Sequence, residues 1–255
     1  YYEVTEQNTI RITGAKASLS EIQIPAQIDG IAVTQIGDYA FLDHTRLQAI
    51  VLPDSVREIG NYAFLNCSRL ESIQIPVTLQ NVGWGILSDT PWLTAQEGEY
   101  VVIGNQILIA YKGTSENISV PKGVRTIAGF AFEKNMMIQS VQLPESLIAL
   151  NAYAFAGCRN LQSIQLPFGL QFIGSNAFFE CKQLQQIIIP DSVTEIGERV
   201  FYQCAALQTV RLPNGLKEVS AGLFYRCAAL KKIQLPDSVE QVAAMAFQGC
   251  TSLRI

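Results

Sequence analysis

Charge is scarce in this chain. Only 16% of its 255 residues are Asp, Glu, Lys or Arg, and 22 acids against 18 bases leave a net charge of −4. Without a basic excess there is no face to neutralise nucleic-acid phosphates, and no electrostatic hold on an anionic membrane surface. Low charge combined with 49% hydrophobic residues also excludes an intrinsically disordered chain. Long apolar runs are missing too. No stretch approaches the roughly 18 consecutive apolar residues that a bilayer-spanning helix needs. The first residues show no basic segment leading into an apolar one, so they are no signal peptide, and a start at Tyr1 is read as a processed or trimmed N-terminus. Histidine is reduced to one, His44. It follows Asp43, but nothing completes a catalytic triad, and its register position reads as structural. GxGxxG, the P-loop and HExxH are all absent. No enzyme, catalytic residue, cofactor or metal site is expected.

What the chain has instead is repetition. Pro121, Pro144, Pro167, Pro190, Pro213 and Pro236 are spaced 23 residues apart, as are Pro53 and Pro76. The phrase around them is LxxIxLPxSVxxIGxxAFxxC, as in Leu184 to Ala206, LQQIIIPDSVTEIGERVFYQCAA. A fixed period of this length means one supersecondary unit stacked on copies of itself.

Each unit can be read around its circumference. The IxL segment alternates, which predicts a strand buried on one face. Proline ends it, because it cannot donate to a ladder. Asp54-Ser55, Glu145-Ser146, Asp191-Ser192 and Asp237-Ser238 are turn formers expected to bond their own backbone. A second short extended piece follows, as in Val193 to Ile196. Gly60, Gly83, Gly174 and Gly197 are read as the place where the coil bends. The closing xxAFxxC is too short for a free helix and predicts one helical or 3₁₀ turn.

Stacking turns single positions into lines. Phe41, Phe64, Phe132, Phe155, Phe178, Phe201, Phe224 and Phe247 form a spine that Leu87 interrupts. Cys158, Cys181, Cys204, Cys227 and Cys250 recur every 23 residues, and Cys67 holds the same position. Adjacent turns bring such cysteines within about 5 Å at Cα, a span a disulfide can bridge. Yet five consecutive rungs cannot all pair, and Cys67 has no cysteine on either neighbouring turn. The reading is a buried ladder of free thiols, since free cysteine is among the most buried residue types. Zinc needs ligands converging on a point rather than a line.

The pattern is broken in a few places. Five extra residues around Asp29-Gly30 follow Pro25. A larger insertion, residues 94–117, holds two alternating runs around Gly104-Asn105 that read as a hairpin. Residues 1–18 predict an N-terminal hairpin cap. Leu253-Arg254-Ile255 stops where another strand is due, so the expectation is a missing C-terminal cap, a fragment, or a further domain or subunit covering that end.

LPDSVTEIGERVFYQC and its sister segments resemble the 23-residue leucine-rich repeats of BspA-like bacterial proteins. So do Ile24 to Phe41, which looks like a first repeat, and Thr90 to Gly113, which looks like a known variant turn. The resemblance covers about residues 19–255, with Ala128, Asn151, Ser220 and Ala243 departing from the usual glycine. It implies an α/β leucine-rich-repeat solenoid. Parallel strands would stack turn on turn, with a second short parallel ladder and a one-turn helical or 3₁₀ corner per coil. The whole of 1–255 is expected to be one such solenoid. It also implies an exported or surface-displayed bacterial protein in adhesion, host or matrix contact, and no catalytic residues.

Two outward surfaces are candidates for a protein or glycan partner. One is the strand face, where Gln23, Gln74, Gln142, Gln165 and Gln234 share a position. Its plain reading is a solvated face whose stacked amides bond one another. The other is a pair of aromatic rows: Tyr39, Tyr62, Phe130 and Tyr153 two residues before the spine, and Phe179, Tyr202 and Tyr225 one residue after it. Trp92 opens the insertion. Exposed aromatics offer contact area at low entropic cost. Their plain reading is packing over the corner. The function expected is a non-catalytic binding module; the alternatives are a spacer displaying another domain, or part of an enzyme whose site lies elsewhere.

Overall fold

The computed structural model describes residues 1–254. It divides after Ile109 into two compact units.

The first unit opens with the antiparallel hairpin Tyr2–Val4 and Ile10–Ile12. Coils follow, each giving one strand to each of two parallel ladders. Glu21–Gln23, Ala49–Val51 and Ser72–Gln74 make the first ladder. Ile10–Ile12, Ile31–Ile36, Glu58–Ile59 and Asn81–Val82 make the second. The extra residues after Pro25 are a two-residue hairpin: Gln27 pairs with Ala32 across Asp29 and Gly30, both at positive φ (51° and 78°). Two left-handed residues between paired strands are what a twisted hairpin favours. The insertion contains the helix Pro91–Ala95, capped by Thr90, and the paired strands Tyr100–Ile103 and Ile107–Tyr111.

The second unit repeats the design more regularly. Its first row of strands forms two parallel ladders, Asn117–Ser119, Ser140–Gln142 and Ser163–Gln165, and then Gln186–Ile188, Thr209–Arg211 and Lys232–Gln234. Its second row is likewise in two parts, Thr126–Ile127, Ala149–Leu150, Phe172–Ile173 and Glu195–Ile196, and then Glu218–Val219 with Gln241–Val242. Ile118 lies beside Val141 and Val141 beside Ile164. The helical share of the expected α/β class is confined, among the described residues, to Pro91–Ala95.

The corner takes the 3₁₀-type bonding expected of it without continuous helical backbone. Linked i→i+3 turns run along it: Ala177 N–H to Gly174 O, Phe179 to Asn176 and Cys181 to Phe178. Two residues per coil are left-handed and stop the helix propagating. They are Asn176 and Glu180 here (φ 60° and 54°), and Arg199 and Gln203 in the next coil (54° and 59°). The alternate N–H groups, Asn176, Phe178 and Glu180, donate forward to Glu198, Val200 and Tyr202. The corner is therefore a third ladder.

Gly60, Gly83, Gly174 and Gly197 stand where the second strand of the coil gives way to the corner turns, without left-handed backbone. They are small because the preceding coil lies against them: a Cβ on Gly60 would stand 2.5 Å from the Asp38 backbone N, and on Gly83 2.5 Å from that of Asn61. One local expectation needs correcting: the turn serines do not bond their own backbone. Ser146 and Ser192 donate Oγ to Val124 O (2.8 Å) and Leu170 O (2.6 Å), both on the preceding coil.

The core holds the two lines read from the sequence. The spine rings stack at 5.1 Å between Phe41 and Phe64, and at 5.6 Å from Phe155 to Phe178 and from Phe178 to Phe201. All six cysteines are free thiols. Each Sγ donates to the carbonyl of the Phe one coil back: Cys67 to Phe41 (3.1 Å), Cys181 to Phe155 (3.2 Å), Cys204 to Phe178 (3.2 Å). Burial pushes Cys67 up to about 11 and Cys158 up to about 12, and raises the others as well. His44, at the same position, is buried with its two ring nitrogens 3.1 Å and 3.2 Å from the carbonyls of Leu42 and Ala15. Thr90 there caps a helix instead, accepting from the Leu93 N–H.

Candidate ligand-binding surfaces

The aromatic rows are products of the corner geometry. Tyr39, Tyr62, Phe130 and Tyr153 occupy a left-handed position, with φ between 52° and 66°. Glycine or asparagine suits that backbone, and a bulky side chain is uncommon in it. Gly85, Asn176, Arg199, Gly222 and Met245 hold the position in other coils. Tilted outward, the rings meet their neighbours. Tyr39 stacks on Tyr62 at 5.6 Å, and Tyr62 meets Trp84 edge-on at 6.4 Å. Phe130 leans on Tyr153 at 5.3 Å. Trp92 lies apart from the rows, half-buried on the inserted helix.

The second row stacks more closely. Phe179 lies 5.2 Å from Tyr202, and Tyr202 lies 4.4 Å from Tyr225, both nearly parallel. This row and Tyr153 of the first border one cleft of about 420 Å³ in the second unit. Gly222 leaves the cleft open where other coils carry a side chain. A Cβ there would stand 3.1 Å from Arg199 Cγ, 3.8 Å from the Tyr202 ring and 3.9 Å from Tyr225 Cβ. Three polar residues that sequence reasoning did not single out share this cleft, Asn176, Arg199 and Gln203. Asn176 is only 8% exposed. Its backbone N–H is used by Glu198 O, but its side-chain amide has no hydrogen bond among the described residues. Arg199 forms no ion pair there either, while nearby Glu180 is held by Arg159 at 2.7 Å.

The strand face carries a second cleft, of about 930 Å³. The glutamine row does not bond along itself as expected. Gln142 accepts from Ser119 Oγ at 3.1 Å, and no glutamine pair shares a side-chain hydrogen bond among the described residues. The row is interrupted by Ile188, which is 63% exposed. Phe168 stands beside it at 81% exposure, where other coils have Asp54, Glu145, Asp191 or Asp237. Asp191 and Arg211 edge the cleft, paired at 2.7 Å. The Asn214 N–H and the Arg211 guanidinium hold the Asp191 carboxyl below the usual carboxylate range. Neither Phe168 nor Ile188 stood out in the sequence, because each is one apolar residue among many. Their signal was departure from the residue that the repeat puts there.

The family model of the BspA type leucine rich repeat region (6 copies) matches residues 15–106, 34–147, 101–178 and 125–254. No curated protein matches the chain. Among solved structures, it is similar to a leucine rich repeat protein of T. pallidum, at 27% identity over 100% of this chain and 87% of that one (TM-score 0.41). A leucine-rich repeat protein from Bacteroides ovatus is 29% identical over 99% of this chain and 79% of that one (TM-score 0.42). A leucine rich cell surface protein from Faecalibacterium prausnitzii is 23% identical over 99% and 85% (TM-score 0.44).

Proposed function

Since the chain belongs to the BspA-type leucine-rich-repeat family, we propose that it is a non-catalytic binding module, exported and displayed at the bacterial surface, that holds a protein or glycan partner in adhesion or matrix contact. One observation carries this reading: in the second unit Phe168, in the turn after the strand, and Ile188, on the strand face, both stand exposed and line one cleft with Gln142, Ser163, Gln165, Gln186 and Arg211. An apolar pair of that size, ringed by glutamines and an ion pair, has the anatomy of an interface centre with a polar rim. Catalysis has little to work with. The thiols are pushed away from the thiolate form, and His44 is occupied by two carbonyls. No group of three or more His, Cys, Asp or Glu able to hold a metal occurs among the described residues. No helix among them is long and apolar enough to cross a membrane.

The test is capture on an array of purified matrix proteins and glycans. Phe168→Asp combined with Ile188→Gln restores the repeat's own residues. That variant should lose the captured partner while melting at the wild-type temperature. Undiminished capture would overturn the reading, and no capture by the wild-type chain would favour the spacer.

A further inference from the structure

The corner cleft of the second unit is a separate site, and we infer that it binds an acidic saccharide. Its walls are Tyr153, Phe179, Tyr202 and Tyr225; the last three are stacked on one another, so they offer the cleft ring edges and tyrosine hydroxyls, a part-apolar, part-polar lining that suits a sugar. Its volume of about 420 Å³ is that of a small-ligand pocket rather than of a protein footprint.

The polar groups choose the chemistry. Arg199 enters the cleft with its stem beside Gly222 and its guanidinium without an anion. A planar guanidinium is suited to a carboxylate, which it takes with two parallel hydrogen bonds. The side-chain amides of Asn176 and Gln203 line the cavity and make no hydrogen bond among the described residues, so both are open to a ligand. A sugar hydroxyl is both donor and acceptor, so it satisfies either end of an amide. Gly222 withholds the side chain that would fill the space between these groups.

A peptide fits less well. An extended segment needs main-chain partners, and the corner has none to give. The N–H groups of Asn176, Arg199 and Gly222 are committed to Glu198, Ala221 and Ala244. Side chains alone remain, and their set is aromatic rings with tyrosine hydroxyls, one cation and two amides.

The experiment is isothermal titration with 3′-sialyllactose and trigalacturonate. Lactose and methyl-esterified trigalacturonate serve as neutral counterparts, and a tetraglutamate peptide as the anionic non-sugar. At least one acidic saccharide should bind, roughly tenfold tighter than its neutral counterpart, which is the scale of one charge-assisted contact. Arg199→Gln should erase that preference. Gly222→Tyr, which places in the cleft a residue already held at this register by Tyr39, Tyr62 and Tyr153, should abolish saccharide binding at temperatures where the variant is still folded, its left-handed backbone (φ 61°) lowering the melting temperature only slightly. Phe168→Asp should change nothing, which keeps this site distinct from the strand face. The inference is overturned if neither acidic saccharide binds, if the neutral counterparts bind as tightly, if Arg199→Gln keeps the preference, or if tetraglutamate binds equally well.

Discussion

The thiol ladder makes a quantitative prediction about chemical reactivity. The thiolate is the form that attacks thiol reagents, and burial suppresses it at every cysteine of the ladder. With Cys158 pushed up to about 12, its thiolate fraction at pH 8 is about 10⁻⁴. An unfolded thiol near 8.5 is about one-quarter thiolate at that pH. The folded chain should therefore react at Cys158 roughly three orders of magnitude more slowly than the unfolded one, before any steric exclusion is counted. Cys67, pushed up to about 11, should be slowed by roughly two. Cys204 and Cys227 are raised further, Cys181 is raised well above the ordinary thiol, and all three are fully buried. Cys250 is only part-buried and should react first. The assay is Ellman's reagent at pH 8 with and without guanidinium, with peptide mass spectrometry to place the label. Rapid labelling of Cys181 or Cys204 in the folded chain would refute the reasoning, and so would any native disulfide. The same shifts set a pH dependence. A raised folded-state pKa favours folding below the unfolded thiol range, and that advantage is lost as pH climbs from about 9 towards the folded values. Melting temperature should fall over that alkaline window, and less steeply in Cys158→Ala.

Other perturbations test the architecture. Phe178→Ala removes a fully buried ring stacked on both sides and should destabilise the second unit by about 3–5 kcal/mol in guanidinium unfolding. Gly197→Ala drives a Cβ against the Ser175 backbone and should lower stability by about 1–3 kcal/mol, measured the same way. Tyr39→Gly should be close to neutral, within about 1 kcal/mol, because relief of a left-handed backbone offsets the lost stacking on Tyr62. On the acid side, the depressed Asp191 pKa stabilises the fold above the unfolded carboxylate range, and that support is lost as pH falls through the folded value. Asp191→Asn should flatten the drop in melting temperature below about pH 4.

The period carried most of the fold. Positions such as Phe178 and Cys181 recur because every coil presents them to the same surroundings, so a line in the sequence became a line in the core. What stayed hidden was the backbone sign at each position. Tyr153 and Arg199 gave no hint of left-handed φ, because the ladder of corner hydrogen bonds imposes it whatever the side chain. The rows of candidate aromatics were visible, but their assembly into a cleft depended on a missing side chain at Gly222 and on the amides of Asn176 and Gln203 beside it. Neither shows as a pattern. On the strand face the informative residues were exceptions to the pattern, and exceptions need a structure to say which way they point.

The corner ladder has a consequence for how such a chain can change length. Its N–H groups all point the same way, from Phe155 to Ala177, from Phe178 to Val200 and from Phe201 to Leu223. Each peptide dipole in that column adds to the last instead of cancelling it. The stack thus has a polarity: at the corner each coil donates its N–H groups to its successor's carbonyls and accepts at its own carbonyls from its predecessor. Excising or duplicating one 23-residue unit between Cys158 and Cys227 leaves every donor facing an equivalent acceptor. Direction is fixed by the bonding, while the number of coils is free to drift.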